Sequence, residues 1–212
     1  MESKAYILSH QKDPLITMKV IPGHFTTSNS HLSHFLDVSS MKSNASAARE
    51  VAKELAMPYL TATRVDTIVC MERTEVIGAY LAEELIKNDM SGLNSGDIHV
   101  ITPISNNIGS LSFQSSTVGL LAGRNILLLT TSISSGRTLD SALDCLAYYR
   151  GNIVGISSLF AVTLDHPGTP VHALFTSEDV PGYRIFSSRD CDICRAGQGL
   201  DALISSEGFT KI

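Results

Sequence analysis

Five consecutive positions, Ser134, Ser135, Gly136, Arg137 and Thr138, hold the residue types that grip a phosphate. The glycine lets backbone N–H groups turn inward, the hydroxyls add donors, and a helix starting there adds its partial positive charge. No Lys follows the glycine and the GxxxxGK spacing is absent, so this is not a nucleotide-triphosphate P-loop. A Ser/Gly turn that merely caps a helix uses the same residues, and on the loop alone both readings stand. Just upstream, the apolar run at 126–129 ends in Thr130 and Thr131, which offer hydroxyls and no charge.

Other groups invite chemistry. Glu72 and Arg73 follow a short β-branched run at 66–71 and precede Thr74, a place in the chain that favours function over a solvated ion pair. Cys191 and Cys194 form a Cys-x-x-Cys pair, half of a zinc site or a redox couple. A zinc site needs four ligands. Cys70 in a strand and Cys145 in a helix read as core, and His166 or His172 completes a set only if the fold brings it near. No thioredoxin-like context surrounds the pair despite Arg189 and Arg195, so a structural or incidental role is expected, with no protein-bound metal. His24, His31 and His34 cluster in a Ser-rich segment at unremarkable spacing and read as surface or base-pocket residues. Phe25 and Phe35 suit either stacking on a flat base or core packing.

Elements must position these groups. Apolar residues at helical spacing from Ala47 to Ala56 predict a helix stopped by Pro58, and a second helix covers 75–87 with Thr74 as N-cap. A third covers 138–150, with Gly151 at its C-cap. Strands are expected at 66–71, 99–104, 125–130, 152–162 and 171–175, with strand-like pieces in the mixed segment 1–40. Strands apolar on both faces that alternate with helices imply an α/β fold with a mostly parallel sheet flanked by helices. Ligands of such sheets bind beyond the strands' carboxyl ends, after Met71, Thr130 and Leu164. Residues 88–123 contain no Lys or Arg, and 105–117 are rich in Ser, Asn and Gly, which predicts a long mobile surface excursion.

Composition sets the frame. The 212 residues, 43% hydrophobic and 17% charged, suit one folded domain. A net charge of -5 with no Lys/Arg run argues against nucleic-acid and anionic-membrane partners. The opening residues lack the apolar core of a secretory signal, and no apolar run is long enough to span a bilayer. Four cysteines without a regular framework fit a reducing compartment, so a cytoplasmic location is expected.

The wider segment NILLLTTSISSGRTLDSAL resembles the signature of type I phosphoribosyltransferases, a strand ending in two acidic residues, a phosphate loop and a helix. In that alignment Thr130 and Thr131 take the acidic positions, and Ser134, Ser135, Gly136, Arg137 and Thr138 take the loop that holds the 5′-phosphate. GHFTTSNSHLSHFLDVSSMKSNASAAREVAKELA resembles the N-terminal part of orotate phosphoribosyltransferases, and VDTIVCMERTEVIGAYLAEEL their first strand, pyrophosphate loop and helix. FAVTLDHPG is similar to their later strand and base-covering loop, and DCDICRAGQGLDAL to a Cys-x-x-Cys extension of some relatives. The resemblance thus covers most of the chain in order. It implies one phosphoribosyltransferase-like domain over 1–212, with an N-terminal hood at 1–40 and a C-terminal extension at 186–212. It also implies a homodimer, a sugar-phosphate or nucleotide ligand, and magnesium entering with phosphoribosyl pyrophosphate.

The same resemblance implies Glu72, Arg73 and Thr74 for pyrophosphate, and Phe25, Ser28, Phe35 and His166 for the base. Departures fall on each part of the chemistry. Thr130 and Thr131 bring no charge to oppose a ribosyl cation, a loss worth about 3–4 kcal/mol per preorganised interaction. The segment 88–123, matching the family's lysine-bearing loop, has no cation, which leaves Arg73 or metal for the pyrophosphate. Ser28 and His166 stand where a lysine and an arginine would meet the orotate carboxylate. The expectation is a protein that binds a phosphoribosyl or nucleotide 5′-phosphate without efficient orotate transfer. An active transferase for another base, and an interaction module in which the loop only caps a helix, are the alternatives.

Overall fold

Leu127, Leu128 and Leu129 are all fully buried, which a strand achieves only with a core on each of its faces. The computed structural model of the chain describes all residues except 1, 29, 95, 106–109 and 206–207. The strands are β1 (Tyr6–Ser9), β2 (Thr17–Thr26), β3 (Ser30–Asp37), β4 (Thr67–Cys70), β5 (His99–Ile101), β6 (Ile104–Ser105), β7 (Leu111–Ser112), β8 (Asn125–Ile133), β9 (Asn152–Ala161), β10 (Val171–Thr176), β11 (Ile185–Ser187), β12 (Ala202–Ser205) and β13 (Gly208–Lys211). The helices are α1 (Ser39–Ser43), α2 (Ala45–Ala56), α3 (Glu75–Lys87), α4 (Arg137–Tyr148) and α5 (Asp192–Arg195).

The central sheet runs β10-β9-β8-β4-β5, with every neighbouring pair parallel. Leu127 and Leu129 enter one core, with Val51 and Leu55 of α2 and Leu81 and Leu85 of α3; Ile126 and Leu128 enter the other, with Leu139, Ala142 and Leu146 of α4. Each fully buried leucine is worth about 1.5–3 kcal/mol. The chain leaves β4 towards β5 on one side and returns to β8 on the other. The order therefore reverses between β4 and β8, and their carboxyl ends form the crevice where such sheets take ligands.

A second sheet of order β11-β3-β2-β12-β13, with β1 on β2, lies over that end. Both chain ends build it, because β12 pairs in parallel with β2 and β11 pairs with β3. Its core is Ile21, Phe25, Leu32, Phe35 and Ala202. We refer to it as the hood.

Several local expectations are corrected. The first helix begins at Ala45, earlier than the apolar period suggests, because Asn44 accepts from the N–H groups of Ser46 and Ala47. Thr74 occupies the N-cap of α3, but its buried hydroxyl donates to the Met71 carbonyl at 2.8 Å and caps nothing. At the end of α4 the left-handed residue is Arg150 (φ 59), not Gly151. A side chain at Gly151 would overlap Ile126, so that glycine serves close packing. The segment 88–123 is anchored: Phe113 and Leu121 are buried in the α4-side core, and β6 pairs with β7, while 106–109 lie outside the described residues. Among the described residues no helix is long and apolar enough to cross a membrane.

Pro58 does not simply end α2; it sits in a 3₁₀ turn, Met57–Tyr59, that drives Tyr59 under the sheet. The Tyr59 hydroxyl lies 3.0 Å from Ser157 Oγ and donates to the Ile156 carbonyl, and its ring fills the space left by Gly155. Burial raises the Tyr59 pKa to about 12, against a smaller lowering by the Ser157 hydrogen bond. Burial raises Tyr183 to about 12 as well. A folded-state pKa above the unfolded value of about 10 means stability that is whole below pH 10 and lost as pH rises through about 12. Urea unfolding at pH 9 and near pH 12 should show this alkaline loss. Tyr59→Phe should shrink it by about 2–3 kcal/mol, leaving the Tyr183 part.

Candidate functional site

A cavity of about 750 Å³ opens where the loops after β4 and β8 meet the hood. Its floor is Ser134, Ser135, Gly136 and Thr138. Gly136 takes φ 79, a left-handed value open to glycine, and as N-cap of α4 it supplies no side-chain acceptor. The first turn of α4 thus meets the cavity without a cap from its own N-cap residue, the arrangement that suits an anion. Arg137, at the first position of α4, is exposed and does not line the cavity.

One wall is the crevice between β4 and β8. Glu72 and Arg73 both adopt left-handed backbone, φ 54 and 64, which costs about 1–3 kcal/mol per residue and persists only where surroundings enforce it. The enforcing contacts cross to β8. Glu72 Oε2 accepts from Thr130 Oγ1 at 3.2 Å and from the Thr131 N–H at 3.0 Å, while Thr131 Oγ1 donates to the Glu72 carbonyl at 3.3 Å. Lys42 Nζ, from α1, donates to that same carbonyl at 3.0 Å. The strand tip that lacks acidic side chains of its own therefore holds a carboxylate borrowed from the neighbouring loop.

Of the sequence-predicted groups, Glu72, Arg73, Thr131, Ser134, Ser135, Gly136, Thr138, Ser28 and Phe35 line the cavity. Others do not. Thr130 is buried behind Thr131 and bonds Glu72, and Thr74 is buried and closes its own loop. Phe25, expected at the base, is fully buried in the hood core, because its strand turns that face towards Ala202 and Leu32. His166 does not line the cavity; its Nε2 lies 3.7 Å from Asp140 of α4. Lys42 was missed in the sequence: a single lysine on a short helix carries no motif, and the cavity's second basic residue beside Arg73 emerges only when α1 folds against the loop after β4.

The structure brings the cysteine pair to two of the histidines, which are not on the surface. Ligand atoms of His24, His31, Cys191 and Cys194 lie within 4.8 Å of one another in the hood, outside the cavity wall. His24 and His31 are buried and so are neither surface nor base-pocket residues. The other residues considered stay apart: His172 packs edge-on to Tyr59, and His34 stacks on Tyr183.

No protein-family model and no curated protein matches the sequence. Solved structures match in shape. The UMP synthase of Leishmania donovani aligns at 17% identity and TM-score 0.56 over 75% of this chain and 34% of its own, so this chain spans about a third of that protein. An APRTase from Giardia lamblia aligns at 16% identity and TM-score 0.52 over 76% and 93%. The adenine phosphoribosyltransferase of Leishmania donovani aligns at 13% and 0.51 over 71% and 73%. The fold is that of the type I phosphoribosyltransferases, with a parallel five-stranded sheet flanked by helices.

The Glu72 bridge is open to measurement. Glu72→Ala leaves the Thr131 N–H and the buried Thr130 hydroxyl without their acceptor, which should cost about 1–3 kcal/mol in denaturant unfolding. Glu72→Gln keeps an acceptor oxygen and should recover part of that loss. Equal stability of both variants and the parent would show that the bridge does not hold the crevice.

Proposed function

We propose that the cavity binds the 5′-phosphate and ribose of a phosphoribosyl compound or nucleotide, and that the protein lacks efficient orotate transferase activity. The observation that carries this reading is the start of α4 at Gly136, with Ser134, Ser135 and Thr138 beside it on the cavity wall. Backbone N–H groups at the start of a helix with hydroxyls beside them suit a dianionic phosphate. A phosphate seated there directs its sugar towards Thr131 and the Glu72 carboxylate, which would accept from ribose hydroxyls. Lys42 and Arg73 flank the same loop and supply the positive charge a diphosphate needs, in place of the lysine-free segment 88–123. Magnesium entering with a diphosphate would find carboxylate oxygens at Asp37, Glu72 and Glu75 on the cavity wall and would offset the ligand's charge.

The hood end argues against orotate. Leu32, Phe35, Ile204 and Ser28 face the cavity there, and His166 does not. A carboxylate-bearing base would lose its hydration against apolar and neutral groups without a cation in return. A flat, uncharged base suits Phe35 better. The second reading is a working transferase for such a base, and the carboxylate of Glu72 favours it. One negative charge remains next to the ribose position and can oppose a developing ribosyl cation.

Calorimetric titration with phosphoribosyl pyrophosphate, ribose 5-phosphate and nucleoside monophosphates, with and without magnesium, tests the binding. Ribose 5-phosphate should bind, and Glu72→Gln should weaken it about tenfold or more while leaving inorganic phosphate little changed, as expected for one charged hydrogen-bond acceptor. Silence from every phosphate compound would leave the loop as a helix cap and the protein as an interaction module. Pyrophosphate release across a panel of bases, orotate included, then separates a binder from a transferase.

A further inference from the structure

The hood carries a constellation that the cavity does not use. His24 Nε2 and His31 Nδ1 are 3.2 Å apart, and Cys191 Sγ is 3.5 Å from His24 Nε2. Cys194 Sγ is 3.6 Å from His24 Nε2 and 3.4 Å from His31 Nδ1. A tetrahedral zinc ion with Zn–N bonds near 2.0–2.1 Å and Zn–S bonds near 2.3 Å sets its ligand atoms about 3.3–3.8 Å apart. Four of the six separations, 3.2–3.6 Å, lie close to those of such a shell, and the remaining two are within 4.8 Å.

Hydrogen bonding alone does not explain the arrangement. His24 Nδ1 lies 3.1 Å from each of the Gln198 and Gly199 carbonyl oxygens, which only accept. That nitrogen therefore carries the ring proton, and Nε2 presents a bare lone pair. One lone pair then faces an imidazole and two thiols and can accept a hydrogen from just one of them. A cation at the centre accepts from all four ligand atoms. A carbonyl holding the far nitrogen of a ligating histidine is also the usual outer contact of a zinc site.

We propose that His24, His31, Cys191 and Cys194 bind one structural zinc ion. Two thiolates and two imidazoles in a tetrahedral set select zinc over harder cations, and a site with all four positions filled by protein has none open for catalysis. On binding, each thiol gives its proton to solvent as its Zn–S bond forms, both histidines donate lone pairs, and no electrons are transferred.

The ion would close the two ends of the chain on each other. β12 pairs with β2 only through Ala202↔Phe25 and Leu203↔Thr26, and α5 spans only Asp192–Arg195. Such short elements do not hold a segment in place unaided. The ties beside the ion are single polar contacts: the Gln198 and Gly199 carbonyls on His24 Nδ1, the Arg184–Asp192 ion pair, and Asp201, whose carboxylate accepts the His24 N–H at 2.7 Å while its N–H donates to the His24 carbonyl at 2.7 Å. A side chain at Gly23 would meet that carboxylate, so the glycine permits the approach. Beyond Asp201, β12 and β13 bring Ile204, Ser205 and Gly208 to the cavity wall. The zinc thus fixes one side of the ligand cavity from outside it. This inference stands whether or not the cavity binds phosphates.

Elemental analysis of the full chain, purified under reducing conditions without chelator, should find one zinc per chain. Cobalt(II) replacement should give the visible absorption of a tetrahedral site with a thiolate charge-transfer band. Cys194→Ser should abolish both, whereas Cys145→Ser, far from the cluster, should keep them. A strong chelator should lower the melting temperature, and added zinc should restore it. Trace zinc in folded, reduced protein together with no tetrahedral cobalt spectrum would overturn the proposal. So would an intact mass lighter by two hydrogens from a Cys191–Cys194 disulfide in protein isolated under those conditions. Should Cys194→Ser fail to fold, cobalt titration of the parent chain decides alone.

Discussion

β4 stops at Cys70 beside Leu129 while β8 runs on to Ile133, and along that overhang the loop after β4 and the strand each supply what the other lacks. Past the end of β4, β8 carries two threonines, which leave a backbone N–H and a hydroxyl in need of an acceptor on the side β4 has left. The loop after β4 carries a carboxylate on a backbone that Glu72 and Arg73 hold only under strain. The Glu72 carboxylate meets both needs at 3.0 and 3.2 Å, and the same contacts hold the loop left-handed. The rest of the crevice follows from this bridge. Lys42 docks on the Glu72 carbonyl, Thr74 turns inward, and α3 starts where the loop releases the chain.

That bridge changes how two neutral residues at the end of β8 are to be judged. Alone, Thr130 and Thr131 suggest a site stripped of charge. In the folded chain a carboxylate from the loop after β4 stands against both, and it limits what is tolerated nearby. An acidic residue at 130 would stand against Glu72 Oε2, and at that distance two carboxylates share a site at the cost of one staying protonated. The threonines and Glu72 are therefore one solution, and restoring acids on β8 is compatible with it only if Glu72 gives way.

The parallel sheet was legible because its strands must be apolar on both faces. Ile126, Leu127, Leu128 and Leu129 leave few alternatives, and the helical spacing in α2, α3 and α4 is equally direct. The loop before α4 was legible for the same local reason: its hydroxyls and its glycine sit on adjacent residues, and Ser134, Ser135, Gly136 and Thr138 line the cavity together. Positions decided by tertiary contact were not. Phe25 and Phe35 lie on one strand pair, look alike in sequence and both enter the hood core, yet of the two Phe35 alone also meets the cavity. Gly151 reads as a helix terminator, but the left-handed residue is its neighbour Arg150, because packing on Ile126 had already claimed the glycine.

The hood marks the limit of local reading most sharply. Its residues come from the two ends of the chain, with Cys191 and Cys194 lying 167 and 170 positions from His24. Cys-x-x-Cys announces half a site, and nothing in the intervening sequence says where the other half lies. What joins the halves is strand order: β11 adds to β3 and β12 adds to β2, so the segment between them must pass over the histidines. Thr26 pairs with His31, and His24 lies two residues before Thr26, so the alternation of a strand raises both imidazoles on one face. The cluster is thus a consequence of topology rather than of motif. It also divides the labour of the molecule: the sheet and its loops set one end of the cavity, and β3, β12 and β13 of the hood set the other.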